Sequence, residues 1–299
     1  MDWARTCGFL VVAAGRGHKW LPHFCESTPD TVWGNYGLTP EQAARGGLNP
    51  KMFNSFLDGS KPSIESTAVS NATGLTVPSN GLLYPPASVE DIPYVTRPIS
   101  EGGVLERKGM VEVISSVERD GRPVFRDLRW GVYVVFRAGS DAGREYVRRC
   151  FKEYGLVTDK TGEYTAMYKP YHLIGLELGI SVASAGLRNE PTGAPLAWWQ
   201  DGALDWRADV VATAKRALNA GEALDGEGGF TVYGKIAPAD ESVANGALPL
   251  GLAHGCTLTR NIAAHETVRW EDVQFAAQND VQQRAIAFRR EIEALARNG

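Results

Sequence analysis

An apolar run over residues 9–14 empties into a segment holding Arg16, His18, Lys19, His23, Asp30 and Thr31. A buried strand that ends in such a cluster usually points at a ligand. Lys19 stands just past the strand, and Gly15 and Gly17 permit close backbone approach, an arrangement suited to a substrate phosphate or carboxylate, with His23 nearby as a further donor. Farther along, Asn54, Asp58, Lys61 and Glu65 follow one another at spacings of four, three and four, so on one continuous helix they share a face. Such a stripe is either a solvated ladder of ion pairs or a substrate site in which Lys61 donates a proton or polarises a carbonyl while Asp58 tunes it. Asp58 and Glu65 could also hold Mg²⁺ or Mn²⁺ beside a phosphate. His172, three residues after Lys169, either caps and packs or joins the site. Cys25 has no identifiable Asn or Asp to orient a thiol nucleophile, and His18, His23 and Asp30 match no standard metal spacing.

These groups must be positioned by regular elements. Residues 9–14, bounded by Gly8 and Gly15, read as a strand covered on both faces. Thr39, Pro40 and Gln42 form a capping box that opens a short helix ended by Gly46-Gly47. A second helical stretch starts at Asn49-Pro50 and extends toward Ala72, where Pro62 makes residues 58–61 either a kink or a break. Residues 77–98 form a long loop, after which the pattern turns to β-structure. Strands are expected around 111–115, 128–137 and 164–168, with Asp120-Gly121 as a hairpin turn. Residues 141–154 give an amphipathic helix with Tyr146, Val147, Cys150 and Phe151 on one face. Residues 172–187 read as a small-residue helix suited to a tight contact, compatible with a homo-oligomer. Residues 193–207, with Trp198, Trp199 and Trp206, read as a linker, and residues 283–297 as a closing helix with Ile286, Phe288, Ile292 and Leu295 on its apolar face.

Composition narrows the function classes. The 299 residues are 43% apolar and 22% charged, enough for one large or two ordinary soluble domains. The formal charge is -4, from 31 basic and 35 acidic residues, and no long basic tract appears, which argues against nucleic acid. The longest apolar stretch, 173–187, is too short and too interrupted for a bilayer span, and no secretory signal opens the chain, so a cytoplasmic protein with a small-molecule substrate is expected. Four scattered cysteines fit reduced thiols better than a disulfide frame.

Residues 212–224 are echoed by residues 258–268. In both, a short strand passes a basic and an aliphatic residue into a turn, then reaches Glu and another aliphatic residue, which suggests a small β-domain of pseudo-twofold organisation. The motifs AKRALNAGEALD and TRNIAAHETVRWEDV resemble the SAF domain of sialic acid synthases, altronate dehydratases and flagellar P-ring assembly chaperones. That resemblance implies a β-clip fold, with His265 standing where the family usually places Gly.

The motifs GRGHKWLPHFCESTPDTVWGNYGLTPEQA, NPKMFNSFLDGSK, VFRDLRWGVYVVF and KPYHLIGLELGISVAS, followed by a SAF domain, resemble the homoserine dehydrogenase-like and deoxyxylulose-phosphate reductoisomerase-like (DRL) oxidoreductases. The resemblance implies an α/β (α+β) fold: a remnant of a nucleotide-binding sheet and substrate loop over 1–38, an α+β catalytic domain over 39–207, a SAF β-clip over 208–280 and a terminal helix over 281–299. It also implies an NAD or NADP cofactor, with Gly15 and Gly17 as its candidate contacts, and a role in isoprenoid synthesis or amino-alcohol oxidation. One departure stands out: Trp20 occupies the third glycine position of G-x-G-x-x-G and Pro22 blocks the helix that the motif should open. The resemblance therefore implies a truncated oxidoreductase acting on a small polyol or sugar phosphate or an amino-alcohol, inactive by itself. The alternative is a non-catalytic binding or assembly protein built on the SAF domain.

Overall fold

The computed structural model describes residues 1–141, 144–193, 206–276 and 280–298. Most of the expected linker, including Trp198 and Trp199, lies outside the described residues. The architecture is α/β with a small all-β region. Its contacts divide it into two interleaved units, one of Met1–Leu21, Ala68–Pro78 and Leu82–Asp205, the other of Pro22–Thr67, Ser79–Gly81 and Trp206–Gly299. The sequence reading lays its domains end to end, whereas the helical segment 22–67 clusters with the C-terminal β-region. Lys51, Asn54, Ser55, Asp58 and Ser60 have side-chain partners there.

The first unit is built on a five-stranded sheet with strands β1 (Leu10–His18), β2 (Met110–Ser115), β3 (Val132–Arg137), β4 (Val157–Thr158) and β5 (Thr165–Lys169), in the order β2-β1-β3-β5-β4. Only β1 and β2 are parallel; β3 runs antiparallel to β1, and β5 to both β3 and β4. All six residues of β2 are buried, as expected of a strand covered on both faces. Side chains alternate between two clusters. Val135 packs with Val12, Ile92, Leu105, Met110 and Ile114, while its neighbour Phe136 packs with Ala4 and Phe151. Phe9 stacks on Phe136 at 5.2 Å and meets Phe151 edge-on at 5.3 Å. Asp120-Gly121 does make a turn, with Gly121 at φ +87° and Val117 bridged to Pro123.

Two helices here differ from expectation. Helix Arg144–Glu153 buries Phe151 but leaves Tyr146 exposed. The expected helix over 172–187 begins only at Leu178 and continues as a π turn over Ser184–Arg188, because Gly175 at φ +81° breaks any earlier start.

In the second unit, the stretch after Asn49 is two helices, Pro50–Leu57 and Ser60–Thr73, the latter running into the segment assigned to the first unit. Gly59 at φ +89° sets the break. Pro62 falls in the first turn of the second helix, where its missing N–H would have no intrahelical acceptor anyway, so it neither kinks nor strains. The β-region pairs β6 (Ala208–Ala214) with β7 (Val232–Pro238), and β8 (Cys256–Leu258) with β9 (Val273–Phe275), all antiparallel. The echoed segments face each other across a pseudo-dyad. Leu218 and Ile262 exchange both backbone hydrogen bonds at 2.9 Å, and both are buried in a core with Ala212, Leu224, Leu248 and Val268.

The closing helix, Asp280–Asn298, docks through polar groups instead of its apolar stripe. Arg289 pairs with Asp209 at 2.6 Å and with Glu293 at 2.8 Å, while Phe288 and Leu295 are exposed. Among the described residues, no helix is long and apolar enough to cross a membrane.

Candidate active site

Strand β1 runs through the segment that reads as a loop in the sequence. Gly15, Arg16, Gly17 and His18 all pair with β2, from Glu112 to Ser115. The two glycines serve the sheet: a Cβ on Gly15 would overlap the Glu112 carbonyl oxygen, and one on Gly17 would overlap that of Leu128. They therefore lie inside the sheet and not in a turn.

The carboxyl ends of the parallel pair β1/β2 do gather chemistry, as such edges commonly do. Lys19 and Trp20 follow β1 directly. Because β3 is antiparallel to β1, with Val132 opposite Arg16, the residues just before β3 return to the same edge and bring Arg129 to it. Burial holds the Lys19 ammonium below the usual lysine range, and the charge of Arg129 lowers it further. Two cations thus share one edge. Beside them the Trp20 ring stacks on Tyr84 at 4.2 Å, the Arg119 guanidinium lies 5.8 Å from the Trp20 ring, and Ser115 Oγ donates to the Trp20 carbonyl at 2.9 Å.

Tyr84 adopts φ 49°, an uncommon conformation for a non-glycine residue, and Glu112 holds it there. The wholly buried Glu112 carboxylate accepts from the backbone N–H of Leu83, Tyr84 and Val113 at 2.8–3.3 Å, while Tyr133 donates its hydroxyl to the Glu112 carbonyl at 2.8 Å. Burial pushes the Glu112 carboxyl up to about 7, against those three hydrogen bonds and the charge of Arg119.

The expected stripe of the second unit is resolved differently. Asp58 caps the break between the two helices, its Oδ1 accepting the Ser60 N–H at 2.8 Å. Its other oxygen lies 2.8 Å from Lys215 Nζ, so the lysine facing Asp58 is Lys215 and not Lys61. Both side chains are buried, and the ammonium also donates to the carbonyls of Ser27 at 2.6 Å and Gly229 at 2.7 Å. The ammonium thus donates two hydrogen bonds to backbone carbonyls and lies in ion-pair contact with the Asp58 carboxylate. Burial pushes the Asp58 carboxyl upward, and Lys215 opposes it. Asn54, also buried, donates to the Ser27 and Gly228 carbonyls at 2.9 and 3.0 Å, so it ties the same loops together. Burial, then Glu26 and Asp58, push the Cys25 thiol up to about 11, which opposes thiolate chemistry.

The remaining sequence candidates are dispersed. Lys61 and Glu65 are half-buried on the helix beyond the break, and the rotation at Gly59 removes them from a common face with Asn54. His23 is exposed against Phe24, ring centroids 4.8 Å apart, and belongs to the second unit, whereas Lys19 belongs to the first. His172 lies ahead of its helix, 3.8 Å from Glu177, which also pairs with Lys169. Asp58, facing an ammonium, is a poor Mg²⁺ or Mn²⁺ ligand. No group of three or more His, Cys, Asp or Glu side chains among the described residues is placed to hold a metal ion. Sequence reasoning missed Arg129, Glu112 and Lys215. For Lys215 a signal existed, a lysine between apolar residues at the end of a buried strand, but it was absorbed into the SAF echo.

Comparison with known proteins adds the family. Residues 209–274 match the SAF domain, and no curated protein matches the chain. Residues 1–178 match the family described as "Oxidoreductase DRL, catalytic domain". With more than half of its 299 residues covered by that match, the chain belongs to the DRL oxidoreductase family and carries a SAF domain after its catalytic part.

Proposed function

We propose that this chain is the substrate-binding and catalytic portion of an oxidoreductase for a small anionic substrate, a polyol or sugar phosphate or an amino-alcohol of the homoserine type. The observation that supports this reading is the convergence of Lys19 and Arg129 at the carboxyl edge of β1 and β2. A fixed pair of cations neutralises a phosphate or carboxylate and orients the rest of the molecule, so that its carbinol or carbonyl carbon is presented in one pose. The stacked Trp20 and Tyr84 rings wall the same edge and shield it from water. On this reading the protein works in the cytoplasm on a small molecule, as a homo-oligomer, and has no nucleic-acid or membrane partner.

An oxidoreductase family of this kind implies a nicotinamide cofactor, which would supply or accept the hydride when bound. The described residues do not fit its pyrophosphate: Gly15 and Gly17 are consumed inside the sheet, and the segment after β1 is a 3₁₀ turn over Pro22–Glu26 instead of a helix whose N-terminus could cradle phosphates.

Calorimetric titration with glycerol 3-phosphate and with glycerol tests the anion site. Lys19→Met keeps most of the side-chain length and removes the charge. It is expected to weaken glycerol 3-phosphate by about 1–3 kcal/mol while leaving glycerol unaffected. Equal affinity of the variant and the parent for glycerol 3-phosphate would refute the assignment of Lys19.

A further inference from the structure

The second unit contains a half-open cleft of about 330 Å³, a volume at the lower end of small-molecule sites. Val211 of β6, Ile236 and Ala237 of β7, and Ala247 are among its lining residues, and the exposed lining is more polar than apolar. The polar groups come from several elements. The turn Ser79–Gly81 contributes Asn80, β7 contributes Lys235, helix Ala239–Ala244 and its C-cap contribute Glu241 and Asn245, and the second SAF repeat contributes Thr267 and Arg269. None of these residues lies at the edge of the β1/β2 pair.

The charges around this cleft are unequally committed. Glu266 lines it too, but its carboxylate is already held by Arg260 at 2.8 Å and by the Ala263 N–H at 2.9 Å. Ser242 is likewise spent, donating to Asp209 at 2.5 Å. Lys235 has no ion pair among the described residues, and Arg269 has only Glu271 at 3.6 Å, an exposed contact of little strength. Two cations thus remain available against one carboxylate, Glu241, so the cleft favours a ligand of net negative charge.

The direction of Lys235 is built into the fold. Gly81, at φ +86°, lies so close to the lysine stem that a Cβ there would stand 2.9 Å from Lys235 Cε and 3.2 Å from Cγ. The stem is therefore shelved along a glycine backbone, which fixes where the ammonium points and lowers the entropy lost on binding. Asn80 and Asn245 are exposed amides, each offering a donor pair and an acceptor, and the Glu241 carboxylate accepts from hydroxyls. That combination matches a short chain of hydroxyls ending in an anion.

We propose that this cleft of the SAF unit is a binding site for a small polyhydroxylated anion, a polyol bearing one carboxylate or phosphate. The anionic end sits against Lys235 and Arg269, and the hydroxyls lie along Asn80, Asn245 and Glu241. The site is separate from the Lys19–Arg129 edge and does not depend on it.

Amide chemical shifts of Ile236, Ala247 and Thr267, followed in the full chain during titration, test the proposal. Gluconate, glycerol 3-phosphate and neutral sorbitol are the probes, the first two separating carboxylate from phosphate as the anion. Saturable shifts with gluconate or glycerol 3-phosphate, but not with sorbitol, are expected. Lys235→Met, which keeps the shelved stem, is expected to weaken them about tenfold, as for loss of one charge-assisted hydrogen bond. Glu241→Gln, an exposed change, is expected to tighten the anion. Lys19→Met is expected to leave these shifts unchanged even where it weakens binding at the β1/β2 edge. Unaltered titrations in Lys235→Met, equal responses to sorbitol, or loss of the shifts in Lys19→Met would each overturn the proposal, and the first two would leave the reading of the β1/β2 edge standing.

Discussion

Lys215 Nζ lies 2.8 Å from Asp58 Oδ2, and neither side chain reaches solvent. The pair joins the helix break at Gly59 to the end of β6, and the ammonium donates to the Ser27 and Gly229 carbonyls. A buried pair of this kind gains little over well-packed apolar residues, yet either charge left alone is expensive. Its effect is thus specificity: it selects one arrangement of the loops around 27, 58 and 229.

Lys215→Met is accordingly expected to cost about 3–5 kcal/mol, read as a lower urea midpoint, because it strands a buried carboxylate. Asp58→Asn combined with Lys215→Met should recover part of that loss, since no charge is then left unpaired. Lys61→Ala, by contrast, should change stability by only about 0.5 kcal/mol. A large loss for Lys61→Ala with a small one for Lys215→Met would mean that the pairing is misassigned.

Gly17→Ala is expected to prevent the five-stranded sheet from forming in its present register, because the new methyl group meets the Leu128 backbone, which cannot swing aside as a side chain would. Insoluble expression or loss of cooperative unfolding would be the signature. A well-folded Gly17→Ala variant with altered nicotinamide binding would instead restore the glycines to a cofactor role.

The β-elements were legible because their signals are local. Strand β3 is a run of β-branched and aromatic residues, and the capping box at Thr39 and Gln42 is written in four adjacent positions. The break at Gly59 was legible only as a choice between kink and break, since the positive φ that settles it is imposed by Asp58 receiving the Ser60 N–H. The partners of the site were not legible. The pairing of Asp58 with Lys215, and the effect of the Arg129 charge on Lys19, join distant segments that no periodicity encodes, so the nearest lysine in sequence, Lys61, stood in for the nearest in space. Close backbone approach at Gly15 and Gly17 was legible, but which backbone approaches, that of Glu112 and Leu128, was not.

The two SAF turns offer an internal control. Gly221 at φ +88° and His265 at φ +63° occupy matching places, each followed by a glutamate that accepts the N–H of Asn219 or Ala263. A histidine in that conformation is strained, and its exposed contact with Glu26 at 3.1 Å offsets little. His265→Gly should therefore be neutral to stabilising by up to about 1 kcal/mol, whereas Gly221→Ala should destabilise by about 1–2 kcal/mol. Thermal midpoints that move the other way in both variants would show that the turns are not equivalent.

Glu112 gives the fold a pH dependence whose sign can be stated. Burial raises its carboxyl from the ordinary 4.5 to about 7, so the folded chain holds a proton that the unfolded chain releases. The stabilisation from that proton is fully present below about pH 4.5 and is lost as pH rises through about 7, since over this window the unfolded state binds fewer protons than the folded one. The shift corresponds to on the order of 3 kcal/mol. The groups facing the carboxyl are the N–H groups of Leu83, Tyr84 and Val113, with Arg119 and the Tyr133 hydroxyl nearby; the N–H groups and Arg119 favour the charged form but do not outweigh burial. Glu112→Gln keeps an acceptor for the same N–H groups and cannot titrate. Urea midpoints measured from pH 4.5 to 7.5 should fall for the parent relative to Glu112→Gln, with the difference changing by about one proton's worth across the window. Parallel profiles for the two proteins would show that Glu112 is ionised throughout and that its three hydrogen bonds, not burial, set its state.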